Sequence, residues 1–284
     1  MAYETSWLNA AATRVNLLEK AQSTQASVVV FDLEDALPKD QKVAGRHAYR
    51  AAFHARGDKA TRIAVRINSL ASSLGLEDLL FLLTEQIVPD IIILPRSGWA
   101  RDISIVAELI SDANPNLKVY SVIESLQGFR ALRELPPVTK FFGGLILGSA
   151  DLAADLGIQL RRSNLDFYRS ELAFAAKSIG IAAIDAPCFQ IDNESALISE
   201  CEAALRMGFD GKIAVHPNQV PIINGVFGVS QDALSYAHDI ISRHTKDAIS
   251  HVNGDMTGPP FVRYAEKVIR RAHTMSRTGT EHNE

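Results

Sequence analysis

The chain has 284 residues, 47% of them apolar and 22% charged, so it can bury a large core and is neither disordered nor low in complexity. Its 29 Lys and Arg are scattered and face 33 Asp and Glu, for a net charge of −4. That excludes the basic footprint of a nucleic-acid binder and favours a small-molecule partner. Two cysteines, Cys188 and Cys201, are too few for a disulfide framework and lack metal-ligand spacing, so buried free thiols in a reducing, cytoplasmic setting are expected. Every apolar run falls well short of the ~20 residues of a membrane span, and Glu4 comes early, so no membrane partner is expected.

In chain order, a weak strand pattern covers Thr5–Ala10 and helical spacing covers Ala11–Gln22. Strands are predicted at Ser27–Leu33, Arg62–Ile67 and Asp90–Leu94, with helices at Leu76–Gln86 and Arg101–Ser111. Further strands follow at Lys118–Ile123, Gly143–Leu147, Ile181–Ala186 and Lys212–Val215, with helices at Asp166–Ile179 and Glu194–Met207. The last helix has Asp192 or Asn193 as its cap and closes at Gly208. Such near-continuous apolar strands are buried on both faces, and helices between them imply parallel crossovers. The strand count favours an α/β fold of the (β/α)8 TIM-barrel type over an open doubly wound sheet, within the ~250 residues that one such barrel uses.

After Val215 the pattern changes to a helix over Gln231–Lys246, a polar link over Ser250–Pro260 and a basic helix over Phe261–Met275. Residues 1–229 therefore read as a barrel catalytic domain. Residues 230–284 read as a helical C-terminal extension whose apolar stripe, Val262, Ala265, Val268 and Ile269, suits packing on a neighbouring subunit.

A barrel keeps its active site at the C-terminal ends of its strands. The polar residues there are Asp32, Glu34 and Asp35, then Arg66 and Asn68, Arg96, Glu124, Ser149 and Asp151, Asp185, and His216. Carboxylates gathered in one mouth repel unless a cation or a guanidinium joins them. Oxygen donors without a His or Cys cluster point to Mg²⁺. Glu124 and Asp151, after consecutive strands ~4.8 Å apart, are the candidate ligands; the alternative for Asp151 is a helix N-cap role.

The run Gly143 to Asp151 puts small residues where backbone approaches a ligand, so the amides of Gly148, Ser149 and Ala150 suit a substrate carboxylate or enolate oxygen. The G-x-G-x-x-G dinucleotide fingerprint is absent. Arg66 offers a bidentate fork for a substrate carboxylate, or a salt bridge to Glu34 or Asp35. His216 reads as hydrogen-bonded structure sooner than as a base or ligand. A Ser149–Asp185–His216 triad lacks the G-x-S-x-G elbow.

Six segments carry a resemblance: VVVFDLEDALP (28–38) with Lys42 and Arg46, VRIN (65–68), ILPR (93–96), IES (123–125), LGSADLAADLG (147–157) and GFDGKIAVHPNQV (208–220). In this order they resemble the citrate lyase β-subunit-like branch of the HpcH/HpaI aldolase family, over roughly residues 25 to 275. The resemblance implies a TIM barrel, trimeric or hexameric, that uses Mg²⁺ to make or break a carbon–carbon bond between an acyl-CoA enolate and a 2-oxo acid. It implies Glu124 and Asp151 as metal ligands, Arg66 as substrate-binding and catalytic, and Glu34 as the acid in the mouth.

The sequence departs from the family pattern in three places. Gly258 stands where many members carry an aspartate that reaches a neighbouring subunit, with Asp255 nearby. Arg96 replaces a frequent lysine, and residues 6–14 lack the usual first-strand motif. The expected activity is a Mg²⁺-dependent lyase releasing acetyl-CoA and a 2-oxo acid from citramalyl-, malyl- or citryl-CoA, in a homotrimer. The alternatives are an aldolase on a non-CoA hydroxy-oxo acid, or a non-catalytic, partner-dependent citrate lyase β-like subunit.

Overall fold

The computed structural model describes residues 4–57, 61–96, 100–110, 112–135, 140–160, 164–243, 250–252 and 255–280. Eight parallel strands close into a barrel: β1 (Ser6–Ala11), β2 (Val28–Asp32), β3 (Arg62–Arg66), β4 (Ile91–Leu94), β5 (Lys118–Ile123), β6 (Phe142–Leu147), β7 (Ala182–Asp185) and β8 (Gly211–Ala214). Pairing of Ser6, Trp7 and Leu8 in β1 with Lys212, Ile213 and Ala214 in β8 completes the ring. The expected (β/α)8 architecture is the one found, and the weakest expected strand is the one that closes it.

The helices of this unit are α1 (Leu17–Ser23), α2 (Lys42–His54), α3 (Ser73–Thr84), α4 (Ala100–Ile110), α5 (Leu126–Ala131), α6 (Ser149–Asp155), α7 (Asp166–Ser178), α8 (Glu194–Met207) and α9 (Gln219–Phe227). The α8 boundaries match the expected ones because both caps are local. Asn193 accepts the amide N–H of Ala196 at 3.0 Å, and Gly208 takes the left-handed conformation that ends the helix. Helices α2, α5 and α9 were not expected; α2 buries Lys42, Gly45, Arg46 and Tyr49, so its inner face is largely polar and carries no apolar stripe.

Strand alternation sorts the side chains between two layers. Trp7, Val28, Val30, Ala64, Ile91, Ile93, Tyr120, Val122, Ile146, Ile184 and Ile213 fill the interior. At its N-terminal end the Tyr120 hydroxyl donates to Glu4 Oε2 at 3.0 Å, and Trp7 meets the Tyr120 ring edge-on with centroids 4.7 Å apart. Gly143 and Gly144 make room for that ring, since a Cβ on either would sit 2.4 or 2.5 Å from it. These two glycines serve barrel packing, a correction to their expected place at a ligand.

From Phe227 onward the chain forms a second compact unit. Helices α10 (Gln231–Arg243) and α11 (Pro259–Thr280) pack around Ala237, Ile240, Val252 and Ala265. The expected polar link contains two short antiparallel strands, β9 (Ser250–Val252) and β10 (Asp255–Thr257), and Val252 buries its side chain in this small core. Ser111, Lys246 and Gly254, named in the expected elements, lie outside the described residues.

Candidate active site

Parity along the strands decides which polar residues enter the mouth. Asp32 continues the inward series of Val28 and Val30, Arg66 follows Ala64, Glu124 follows Tyr120 and Val122, and Gly148 follows Ile146. These strand ends surround a cavity of about 290 Å³ lined by Asn9, Asp35, Arg66, Glu124, Asp151 and the turn Gly148–Ser149–Ala150, among others. Six of the expected site residues, Arg66, Glu124, Gly148, Ser149, Ala150 and Asp151, therefore share one wall-to-wall space. Glu34 is not among the lining residues and stands behind Arg66, its ion-pair partner.

Arg66 is held by two carboxylates. Its Nε donates to Asp32 Oδ1 at 2.9 Å, its Nη2 donates to Asp32 Oδ2, and its Nη1 lies 3.0 Å from Glu34 Oε2. Asp32 is fully buried and also accepts the Glu34 amide N–H at 2.9 Å, so one carboxylate orients both neighbours. The main partner of Arg66 is thus Asp32, with Glu34 second, and Asp35 is not in the pair. Burial pushes the Glu34 carboxyl above its ordinary range; Arg66 opposes this, and Asp35 and Asp32 add to it. Glu34 Oε2 is buried and accepts no hydrogen bond of good geometry despite its closeness to Arg66.

The loop that carries Glu34 is tied down from below. Lys42 Nζ donates to the carbonyls of Leu33 and Glu34 at 2.8 and 2.6 Å. Arg46 Nε donates to Asp78 Oδ1 at 2.7 Å, and Asp78 in turn accepts the Asn68 amide and side chain. Lys42, Arg46 and Asn68 are therefore support for the mouth. Asn68 faces α3, a correction to its expected place among the mouth residues.

Glu124 sits at the centre. Burial, then the Glu34 charge, lift its pKa to about 7; the Arg96 amide opposes this, Asp151 adds to it, and Arg66 opposes it. The Arg96 N–H donates to Glu124 Oε1 at 2.7 Å, from a left-handed backbone with φ 49° that a non-glycine residue adopts at a cost of ~1–2 kcal/mol. Behind Glu124 lies Gly148, where a Cβ would fall 2.3 Å from Glu124 Cβ and 2.7 Å from its Oε2. Asp151, in the first turn of α6, reaches the same space with Arg96 Nη2 at 3.6 Å. Gly148 is the N-cap of α6, so the N-cap alternative for Asp151 does not apply.

Two carboxylates here lack a matching buried cation, and the donor set is all oxygen. Among the described residues no three His, Cys, Asp or Glu converge, so an ion on Glu124 and Asp151 would complete its shell with water and substrate oxygens. That arrangement fits Mg²⁺ and does not fit a metal needing an all-protein cage.

Two further expected mouth residues lie elsewhere. Asp185 has the opposite parity from Ile184 and points outward, where it meets Lys212 Nζ at 2.6 Å and Arg169 Nε at 2.9 Å. His216 caps a turn, its Nδ1 accepting the Asn218 amide at 3.2 Å. Asn9 and Phe189 line the cavity and were not singled out from the sequence. Alternation with Trp7 was the available signal for Asn9, and Phe189 had none because it sits in a loop.

The HpcH/HpaI aldolase/citrate lyase family model matches residues 6–217. The chain is 30% identical over 223 residues to a (3S)-malyl-CoA thioesterase of Cereibacter sphaeroides, covering 78% of this chain and 76% of that protein. It is 24% identical over 277 residues to the mitochondrial citramalyl-CoA lyase of Homo sapiens, covering 90% and 81%. The structure of the protein CitE of Mycobacterium tuberculosis in complex with magnesium, acetoacetate and coenzyme A superposes with TM-score 0.77 at 26% identity, over 96% of this chain and 99% of that one. The match spans the whole barrel, every strand end of the mouth included, and on that ground the chain belongs to the HpcH/HpaI aldolase/citrate lyase family and is a carbon–carbon lyase.

Proposed function

We propose that the protein is a Mg²⁺-dependent lyase that cleaves a short 3-hydroxyacyl-CoA dicarboxylate to acetyl-CoA and a 2-oxo acid, with citramalyl-CoA preferred over malyl- and citryl-CoA. The observation that carries this reading is the buried Glu124, short of a countercharge, sharing one cavity with Asp151 and Arg66. The coenzyme A and magnesium in the CitE complex, and the citramalyl-CoA lyase among the relatives, support it.

In this reading Glu124 and Asp151 hold the metal. Bound there, Mg²⁺ would polarise the hydroxyl and carboxylate oxygens of the substrate. Arg66, locked by Asp32, places its positive charge against the substrate carboxylate or thioester oxygen without reorganising as negative charge develops. Glu34, with its pKa raised, exchanges protons with the reacting groups. Cleavage removes the hydroxyl proton, and the breaking carbon–carbon pair moves toward the thioester carbonyl. The thioester α-carbon then takes up a proton, and a carboxyl whose pKa burial raises, beside Arg66, suits proton exchange in both directions. The amides of Ser149 and Ala150, at the start of α6, face the same space and bind the 2-oxo acid carboxylate.

Acetyl-CoA release from citramalyl-, malyl- and citryl-CoA by the purified chain tests this, with Mg²⁺ and with EDTA. Release that needs Mg²⁺ is expected, fastest from citramalyl-CoA; full activity in EDTA would refute it. We also propose a cytoplasmic setting, supported by the buried free thiols of Cys188 and Cys201, and a homotrimer, supported by the exposed Phe167 and Phe174 one heptad apart on α7.

A further inference from the structure

The interior of a closed barrel is stacked in layers to which alternate strands contribute. Trp7 on β1, Ala64 on β3 and Tyr120 on β5 belong to one such layer, in which the Trp7 and Tyr120 rings meet with centroids 4.7 Å apart. Two residues on, the same strands turn Asn9, Arg66 and Val122 inward, and all three line the cavity of about 290 Å³. Asn9 therefore stands level with Arg66, and only β2 lies between their strands. The mechanism above leaves Asn9 unused.

The described polar side chains that line this cavity divide by what they can offer. Asp35, Glu124 and Asp151 are carboxylates, which only accept when ionised, whereas Asn9, Arg66 and Ser149 can donate. Asp32 accepts two of the five N–H groups of Arg66, so the guanidinium keeps donors for a substrate. Ser149 opens α6, on the side of Asp151, while Asn9 comes from β1, across the ring from Glu124 on β5. A citramalyl thioester whose hydroxyl and carboxylate meet an ion on Glu124 and Asp151 has two groups left on the same carbon, a methyl group and the thioester arm. The methyl group matches the apolar lining of Ile93, Val122 and Ile146. The thioester oxygen matches Asn9. On the neighbouring β8, where Ala214 pairs with Leu8, the cavity residues are Ile213 and Val215, and a carboxamide beside two aliphatic side chains needs a polar partner.

We propose that Asn9 is the second donor of an oxyanion hole, its Nδ2 N–H and the Arg66 guanidinium together holding the thioester oxygen that becomes the enolate. The inference rests on the lyase reading and deepens it. β1 and β3 lie ~10 Å apart, twice the strand spacing, a gap that two inward side chains and one oxygen between them span. In cleavage the hydroxyl gives up its proton, and the carbon–carbon pair becomes the enolate double bond as the carbonyl pair moves onto the thioester oxygen. The α-carbon then takes up a proton, and nothing is oxidised or reduced. Asn9 transfers no atom. Its hydrogen bond strengthens as the oxygen gains charge, so it stabilises the transition state more than the bound substrate.

The test uses Asn9→Leu, which keeps the size of the side chain and removes the donor. Cleavage of citramalyl-CoA is followed in Mg²⁺, and CoA and carboxymethyl-CoA are titrated by calorimetry in the same buffer. Carboxymethyl-CoA is a thioether whose carboxylate carries negative oxygen where the enolate does. We expect kcat to fall about 100-fold, the loss that follows removal of one oxyanion-hole donor, with KM within about threefold. Carboxymethyl-CoA is expected to bind at least tenfold more weakly, with the CoA affinity unchanged and the melting temperature within a few degrees. A purely structural Asn9 would move the melting temperature and both affinities together. Asn9→Ala gives the same reading should Asn9→Leu fail to fold. A kcat within tenfold of the unaltered protein in a folded variant, or an unchanged affinity for carboxymethyl-CoA, would overturn the proposal. If the unaltered protein cleaves no thioester, the lyase reading fails on its own, and the titrations then decide Asn9. Carboxymethyl-CoA bound more tightly than CoA, with that advantage lost in the variant, supports the role, and equal affinities overturn it.

Discussion

Gly148 and Glu124 compete for one volume, and a single methyl group separates the two outcomes. Gly148→Ala would force Glu124 away from Asp151, because the new Cβ lies 2.3 Å from Glu124 Cβ. We expect kcat to fall by about 100-fold, as displacements of ~1 Å do, with a stability loss of about 1–3 kcal/mol. Steady-state kinetics beside a thermal melt separates the two effects; wild-type kcat in a folded Gly148→Ala protein would show that Glu124 is not positioned by this glycine. Glu124→Gln keeps the shape and the Arg96 contact but removes the charge. Mg²⁺ affinity by calorimetry is expected to drop at least tenfold while the melting temperature stays within a few degrees. At this scale the strand-end carboxylates were legible from residue type and position. The role of Gly148 was not, because a glycine's reason lies in the neighbour it leaves room for.

At the scale of elements, the Asp185–Lys212–Arg169–Glu200 network joins β7 and β8 to α7 and α8. Removing one partner leaves an unpaired buried charge, so Lys212→Met is expected to cost about 3–5 kcal/mol in denaturant unfolding, and Lys212→Met with Asp185→Leu to recover part of it. The pH dependence follows from the same groups. Burial raises the Asp185 carboxyl, but Lys212 and Arg169 outweigh it and hold it below the usual range; burial lowers Lys212, but Asp185 and Glu200 outweigh it and hold it above. The Asp185 contribution is present above its unfolded pKa of ~3.9 and lost as pH falls through its depressed folded value. The Lys212 contribution is present below ~10.4 and lost as pH rises through its elevated one. Unfolding free energies across pH should therefore show a plateau that falls at both ends, and Lys212→Met should flatten the alkaline fall.

Gly258 offers a test in the second unit. It is the residue before Pro259 at the start of α11, its carbonyl accepts the Phe261 and Val262 amides, and a Cβ there meets nothing within 4 Å. Gly258→Asp supplies a side-chain cap and is expected to raise stability by a few tenths of a kcal/mol. A clear destabilisation would mean that the space is taken in the assembled protein.

For the whole molecule, sedimentation velocity is expected to give a species of three times 31.0 kDa. Replacing Phe167 and Phe174 by Ser is expected to shift it toward monomer without lowering the stability of the barrel, since both side chains are largely exposed in one chain. A monomer in the unaltered protein would refute the trimer.

The sequence by itself determined the closed parallel barrel and the ring of acids and guanidinium at its mouth. Strands buried on both faces must be written in apolar residues, and the first polar residue after each one marks where the strand meets solvent or substrate. Only the tertiary structure decided which way each of those polar residues turned. Asp32, Arg66 and Glu124 fall on the inward parity, and Asp185 on the outward one, a one-residue difference that composition does not show. It also decided the partners: Asp32 for Arg66, the Arg96 amide for Glu124, and Asp78 for Asn68. Each of these contacts joins residues from different elements, and the distance between them along the chain says nothing about their distance in space until the barrel has closed.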